Sequence, residues 1–173
     1  MYVYHFVPED MKGSTLYPLN ILRGVHPDIF DKQSKKYAGR ETVKGTEIPD
    51  LGRWNDVIHL SPIDPSEVRQ ALRDAGAPPS ADWRVFCIDV DFLGKSRLII
   101  HVESGASGNS PVVNLPFTKE NYAQHCHLPD RTKLYYRRCA EDGRQILIYG
   151  FAPHVLYGGT IDVSGAEIRQ YTN

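Results

Sequence analysis

Three histidines of this chain lie in short apolar stretches that have the composition of β-strands. They are His5 in VYHFV, His59 in VIHLS and His154 in PHVLY, each close to a proline or glycine. A neutral imidazole donates a hydrogen bond at one ring nitrogen and accepts one at the other, which suits ribose hydroxyls or general acid–base catalysis. A single histidine in a buried strand is usually a satisfied core residue. Three in the same setting predict a cleft that they line together.

The alternation of side chains around His59 supports this prediction. Successive residues of a strand point to opposite faces, so Val57 and His59 share one face while Ile58 and Leu60 share the other. We expect Ile58 and Leu60 to pack on the core, against the helix that carries 68–72. The face with His59 would then line a groove.

Composition argues against several classes of protein. The chain has 173 residues, 20 of them basic and 21 acidic, and its net charge of −1 creates no overall field that would attract nucleic acid or a membrane. The N-terminal residues lack a basic region followed by a long apolar one, and no apolar run approaches the roughly 20 residues of a membrane span. We therefore expect no membrane association, and a protein that is cytoplasmic or secreted without a classical signal peptide.

The cysteines predict neither a disulfide framework nor a metal site. Cys87, Cys126 and Cys139 are odd in number and widely spaced, which is typical of reduced thiols. His125 and His127 flank Cys126, but zinc ligands usually come as two such pairs and the second pair is missing. We expect reduced cysteines and no bound metal.

The hydrophobic pattern predicts one α+β domain over 1–173, with a split, mostly antiparallel β-sheet core and flanking helices. The predicted strands are 2–7, 56–61, 83–93, 96–104, two within 144–163 that are separated at Ala152-Pro153, and a short one in 165–173. The predicted helices are 26–41, 64–76, 117–128 and 131–143. The helix 64–76 has the clearest signals, because Asp64 or Ser66 can cap its start and Gly76 follows its end.

The order of these pieces resembles the ADP-ribosyltransferase superfamily. The first strand carries Tyr4-His5, the stretch GSTLYPL follows it, VIHLS leads directly into a helix, and APHVLYGGTIDVSGAEI closes the chain. VIHLS is similar to the HVHLS of RNA 2′-phosphotransferases, and the last segment resembles the final strands of DNA-modifying ADP-ribosyltransferase toxins. The resemblance implies an ADP-ribosyltransferase-like fold.

The resemblance also implies an activity. It suggests an NAD-dependent transferase, in the manner of a bacterial toxin, that uses NAD as substrate and transfers ADP-ribose to a protein, nucleic acid or small-molecule acceptor. An antitoxin or other partner protein would fit that role. His5 matches the first motif residue and His59 the second, while His154 falls where many transferases have glutamate. These histidines are the candidate catalytic residues.

Transfer from NAD requires a held ribose, a stacked nicotinamide and a positioned acceptor. His5 would hold the ribose. The other candidates are Tyr17 or Tyr37 for stacking, Arg23 or Arg40 for the pyrophosphate, and Asn55 or Asp56 for orienting the acceptor.

Two other functions fit the same residues. One is a non-enzymatic binding or partner protein that keeps the fold without the chemistry, which the absent glutamate favours. The other is a metal-independent ribonuclease-type toxin with histidines as acid and base, although the net charge of −1 gives no field that would steer phosphate.

Overall fold

The computed structural model describes residues 1–35, 45–79, 81–103 and 111–172, and within them the chain is an α+β protein with antiparallel sheets. The strands are β1 (Tyr2–Phe6), β2 (Thr15–Leu16), β3 (Glu47–Ile48), β4 (Gly52–Arg53), β5 (Val57–Leu60), β6 (Trp83–Asp89), β7 (Leu98–Glu103), β8 (Val112–Pro116), β9 (His154–Gly158), β10 (Ile161–Asp162) and β11 (Glu167–Tyr171). The helices are α1 (Leu19–Val25), α2 (Pro27–Ser34), α3 (Pro65–Asp74), α4 (Lys119–His125) and α5 (Asp130–Glu141). Among the described helices, none combines the length and apolar character needed to cross a membrane.

Two sheets form the centre of the fold and meet at a single bridge. One has the strand order β1-β6-β11 and the other β5-β9-β7-β8. Tyr4 of β1 and Ser61, just after β5, exchange both backbone hydrogen bonds, with N–O distances of 2.8 and 2.9 Å. Beyond this bridge, toward Phe6 and Val57, β1 and β5 are not paired. The sheets part there and leave a gap between the two strands.

The main apolar cores lie on different sides of these sheets. One contains Val3, Ile58 and Leu60, and the other places Val68 and Leu72 of α3 against the three-stranded sheet. Ile58 and Leu60 therefore reach the core as predicted, but the prediction that they pack on α3 is wrong. The residue of β1 that packs with α3 is Tyr4, on the opposite face of the strand from Val3, and Ile58 and Leu60 belong to the other core.

The start of α3 fixes the chain directly after β5. Asp64 is the N-cap, and its carboxylate accepts a hydrogen bond from the backbone N–H of Ser66 at 2.8 Å. Pro65 takes the first helical position, where its missing N–H costs nothing. Gly76 follows the helix with a φ of 77°, a left-handed conformation that glycine adopts without strain. The sequence predicted this helix and both of its ends.

Several predicted elements differ from the structure. The strand predicted over 83–93 ends at Asp89, and residues 90–92 form a short 3-10 helix. The helix predicted over 26–41 is α2, which ends at Ser34; residues 36–41 lie outside the described part of the chain. The first of the two strands predicted in 144–163 is absent, although β9 and β10 are present. Its residues bond to α5 instead: Leu147 N–H donates to Tyr135 Oη at 3.0 Å, and Tyr136 donates to the Ile148 carbonyl. Backbone groups of this apolar segment are therefore hydrogen-bonded to tyrosine hydroxyls, whereas in a strand they would have been bonded to the backbone of a neighbouring strand.

Candidate functional site

A cleft opens where the two sheets part. It has a volume of about 610 Å³, within the roughly 300–1,000 Å³ of most small-molecule sites. Its walls are the end of β1, the loop 8–12, β2, the helices α1 and α2, and the segment 54–59. Of the residues proposed from the sequence, the cleft brings together His5, Tyr17, Asn55 and His59. The geometric prediction that His5 and His59 face one cleft is confirmed.

Backbone carbonyls fix the tautomers of the two cleft histidines. His59 Nε2 lies 3.0 Å from the carbonyl oxygen of Trp54, and His5 Nδ1 lies 2.6 Å from that of Phe6. A carbonyl only accepts hydrogen bonds, so in the neutral rings these are the nitrogens that carry hydrogen. In the neutral ring of His59 the remaining nitrogen, Nδ1, is therefore an acceptor, suited to the hydroxyl groups of a ligand.

Burial keeps the central histidines neutral. It lowers the pKa of His59 to about 4, with smaller effects from His101 and His5, while the bond to the Trp54 carbonyl acts in the opposite direction. Burial also lowers the pKa of His154 to about 3, and His59 and His101 add to the effect. Both rings are therefore uncharged at neutral pH, where they can bind ligand hydroxyls but do not supply a proton readily.

His154 stands behind His59 and does not line the cleft. The rings of His59 and His154 have centroids 6.3 Å apart, and Tyr149 lies 6.4 Å from His154 on another side. The prediction that His154 faces the cleft with the other two histidines is wrong. In the strand order, β9 lies on the side of β5 away from β1, so its residues form a second row.

Trp54 is a cleft residue that the sequence analysis did not propose. Its ring centroid lies 4.2 Å from that of His59 and 5.2 Å from that of His101. His101 is itself buried, and its Nδ1 lies 2.9 Å from Asn114 Oδ1. Trp54 therefore joins the cleft to a row of polar side chains across the sheet. Its place next to the VIHL strand was the available signal.

The parted strands also present backbone groups to the gap. Tyr4 and Ser61 direct their N–H and C=O groups at each other, and along a strand every second residue points the same way. Phe6 and His59, two residues from the bridge, therefore direct their N–H groups into the gap between β1 and β5. A ligand placed there meets hydrogen-bond donors from both strands.

Charged side chains form the rim of the cleft. Lys12 pairs with Asp28 at 2.7 Å and Lys32 with Asp10 at 3.1 Å, which ties the loop 8–12 to α2. Glu9 is an exposed carboxylate on the same wall. His26 lines the cleft beside Tyr17, with ring centroids 5.8 Å apart. Glu9 lies in a loop and His26 is the first residue of the predicted helix 26–41, and neither was proposed as a site residue from the sequence.

The remaining proposed residues lie elsewhere. The guanidinium of Arg23 lies 6.0 Å from the centroid of the Phe30 ring, on an exposed part of α1 and outside the lining of the cleft, and its assignment to a pyrophosphate stays a prediction. Asp56 accepts hydrogen bonds from the Asn20 side chain and from the Arg53 backbone N–H, so it holds the turn 54–56 in place. Tyr37 and Arg40 lie outside the described residues.

No cluster of three or more metal-ligating side chains occurs within the described ranges. Comparisons of the chain with family models, with curated proteins and with solved structures found no match. The function is therefore argued from the cleft itself.

Proposed function

We propose that the chain binds NAD in this cleft and acts as an ADP-ribosyltransferase-like enzyme on an ADP-ribosyltransferase-like fold. The observation that carries the proposal is the meeting of His5 and His59 where the two sheets part, with His59 neutral and its Nδ1 a hydrogen-bond acceptor. Ribose hydroxyls are donors that match such nitrogens. The acceptor of ADP-ribose, whether protein, nucleic acid or small molecule, the toxin role and an antitoxin follow from the resemblance alone.

Other groups of the cleft match the nicotinamide half of NAD. A carboxamide carries a donor and an acceptor, and its oxygen complements the N–H groups that Phe6 and His59 direct into the gap. Tyr17 and Trp54 supply aromatic surface on the same walls. Holding the glycosidic carbon in a preorganised polar site would lower the barrier to loss of nicotinamide.

The lowered pKa values count against His59 and His154 as the acid in the ribonuclease alternative. Acid–base cleavage of RNA needs one histidine protonated at the working pH. With a pKa of about 4, His59 would be charged in roughly one molecule in a thousand at pH 7. His154, with a pKa of about 3, is a still poorer acid.

A non-enzymatic binding protein is the second candidate. His154 occupies the third motif position in place of glutamate and stands behind His59 instead of in the cleft. Glu9 is a carboxylate on the cleft wall, but it lies on the loop after β1 rather than on β9. In this candidate NAD binds and nicotinamide is not released.

Calorimetric titration with NAD, together with an assay for released nicotinamide, tests the proposal. The key variant is His59→Gln, because the glutamine amide can keep the bond to the Trp54 carbonyl while removing the Nδ1 acceptor. We expect NAD affinity to fall about tenfold, the effect of losing one hydrogen bond of about 1–1.5 kcal/mol. The exposed His127→Gln is the matched control and should bind NAD like the wild type.

The outcomes separate the candidates. Wild-type binding with nicotinamide release that His59→Gln weakens supports the enzyme. Binding without release supports the binding protein. An absence of NAD binding to the wild type, or equal binding by His59→Gln, overturns the proposal, and RNA cleavage in EDTA would favour the ribonuclease.

A further inference from the structure

Asn55 holds a buried polar atom that the fold leaves without a partner. The residue is 8% exposed and lines the cleft, and its Oδ1 has no hydrogen-bond partner in the described part of the chain. Buried side-chain oxygens are nearly always bonded, because an unmade hydrogen bond costs free energy in a low-dielectric interior. An exception on the wall of a cleft points to a ligand that supplies the missing donor.

The helix α1, which packs on the turn that carries Asn55, buries little of its surface. α1 packs on the turn 54–56, yet it has no buried residue, and Ile21 and Val25 are 41% and 46% exposed. The hydrogen bond from the Asn20 side chain to Asp56 ties it to this turn. For a ligand to reach the buried Oδ1 of Asn55, α1 would have to shift, and its low burial means that few apolar contacts would be lost in that shift.

The wall beside Asn55 fits a flat ring. Leu19 and Leu22 of α1 and Ile29 of α2 line the cleft as an apolar stripe, and Met11 and Tyr17 lie on the same cleft. A planar heteroaromatic base can pack against such a surface while one polar substituent reaches Asn55.

We propose that this half of the cleft binds an adenine base, and that Asn55 Oδ1 accepts a hydrogen bond from its exocyclic amino group. Asparagine pairs well with adenine because the amide matches the amino group and the adjacent ring nitrogen. The identification of the base as the adenine of NAD rests on the proposed function. The pairing itself applies to any adenine nucleotide that enters the cleft.

Titration with AMP and IMP tests the pairing without involving NAD chemistry. IMP carries a carbonyl in place of the amino group, which would set an oxygen against Oδ1. We expect the wild type to bind AMP about tenfold more tightly than IMP, as for a lost polar pairing of about 1.4 kcal/mol. Asn55→Leu, of similar shape, should weaken AMP binding and bind the two nucleotides within about twofold of each other.

Thermal unfolding gives a second, ligand-free readout. Asn55→Leu removes an unpaired buried oxygen, so its Tm should equal or exceed that of the wild type. Asn114→Leu is the matched control, because Asn114 Oδ1 is the partner of the buried His101. That variant should melt at a lower temperature. A lower Tm for Asn55→Leu would identify Asn55 as a structural residue and overturn the inference.

The remaining outcomes separate this inference from the proposed function. Equal binding of AMP and IMP to the wild type, or binding of neither, overturns the adenine site even if nicotinamide is released from NAD. A preference for AMP that Asn55→Leu abolishes supports the adenine site even if NAD is never cleaved.

Discussion

At the scale of residues, the chemistry of the cleft depends on how each imidazole is held. A backbone carbonyl orients both His5 and His59, and burial makes the neutral form of His59 the stable one. His154 adds a second neutral ring behind His59. These two half-buried histidines therefore couple the state of the cleft to the stability of the fold.

This coupling predicts that stability falls on acidification. In the unfolded chain a histidine has a pKa of 6.5, whereas His59 and His154 in the folded protein have values of about 4 and 3. Between these limits the unfolded state binds more protons, so the stabilisation is complete above pH 6.5 and is lost as the pH falls toward 4 and then 3. Urea denaturation at steps from pH 7.5 to about 3.5 should show a decreasing free energy of unfolding.

The double variant His59→Gln, His154→Gln is the control for this effect. Its free energy of unfolding should change less between pH 6.5 and pH 4 than that of the wild type, because the two groups that take up protons on unfolding are gone. Identical pH profiles for the two proteins would show that other groups cause the acid sensitivity.

At the scale of elements, the start of α3 ties three parts of the fold together. The Asp64 carboxylate accepts from the Ser66 N–H at 2.8 Å, from the Ser66 hydroxyl at 2.6 Å and from the Tyr4 hydroxyl at 3.2 Å. Arg169 of β11 lies 3.8 Å away. One capping residue thus joins α3 to β1 and β11, close to the bridge that closes one end of the cleft.

We expect Asp64→Ala to lower the free energy of unfolding by about 2 kcal/mol, through the lost cap and the lost partner of Tyr4. Asp64→Asn can still cap the helix and should lose less. Asp74→Ala, at the other end of α3, should stay within about 0.5 kcal/mol of the wild type. Urea denaturation measures all of these, and equal losses for Asp64→Ala and Asp74→Ala would contradict the prediction.

At the scale of the whole molecule, burial divides the three thiols. Cys87 and Cys139 are 3% and 1% exposed, whereas Cys126 is partly exposed after α4, and all three are free. Burial also raises the pKa of Cys87, which disfavours its reactive thiolate. The rate at which a thiol reagent reaches Cys87 on β6 and Cys139 on α5 therefore measures how readily these two elements open.

Ellman's reagent should titrate one thiol rapidly in the native protein and three after unfolding in guanidinium chloride. Cys126→Ser should abolish the rapid phase and leave two thiols in the unfolded chain. Fewer than three thiols in the unfolded wild type would reveal an oxidised pair, and rapid reaction of Cys139 would contradict the burial of the core.

Local signals in the sequence predicted the elements that depend on neighbouring residues. The alternation in VIHL placed Val57 and His59 on one face of β5, and the cap signals of 64–76 placed both ends of α3, because these features arise within a few residues. The same reasoning failed for the first strand expected in 144–163. Its backbone bonds to tyrosines of α5, which periodicity does not reveal.

Local sequence patterns placed His5 and His59 on strands, where either could face a cleft. Long-range packing brings these two to one cleft and leaves His154 behind them. The reason is strand order: the Tyr4–Ser61 bridge places β1 beside β5 on one side, and β9 pairs with β5 on the other. Hydrophobic periodicity records which face of a strand is buried, but not which strand lies next to it. The partnerless oxygen of Asn55 and the stacking of Trp54 on His59 follow from the same long-range packing.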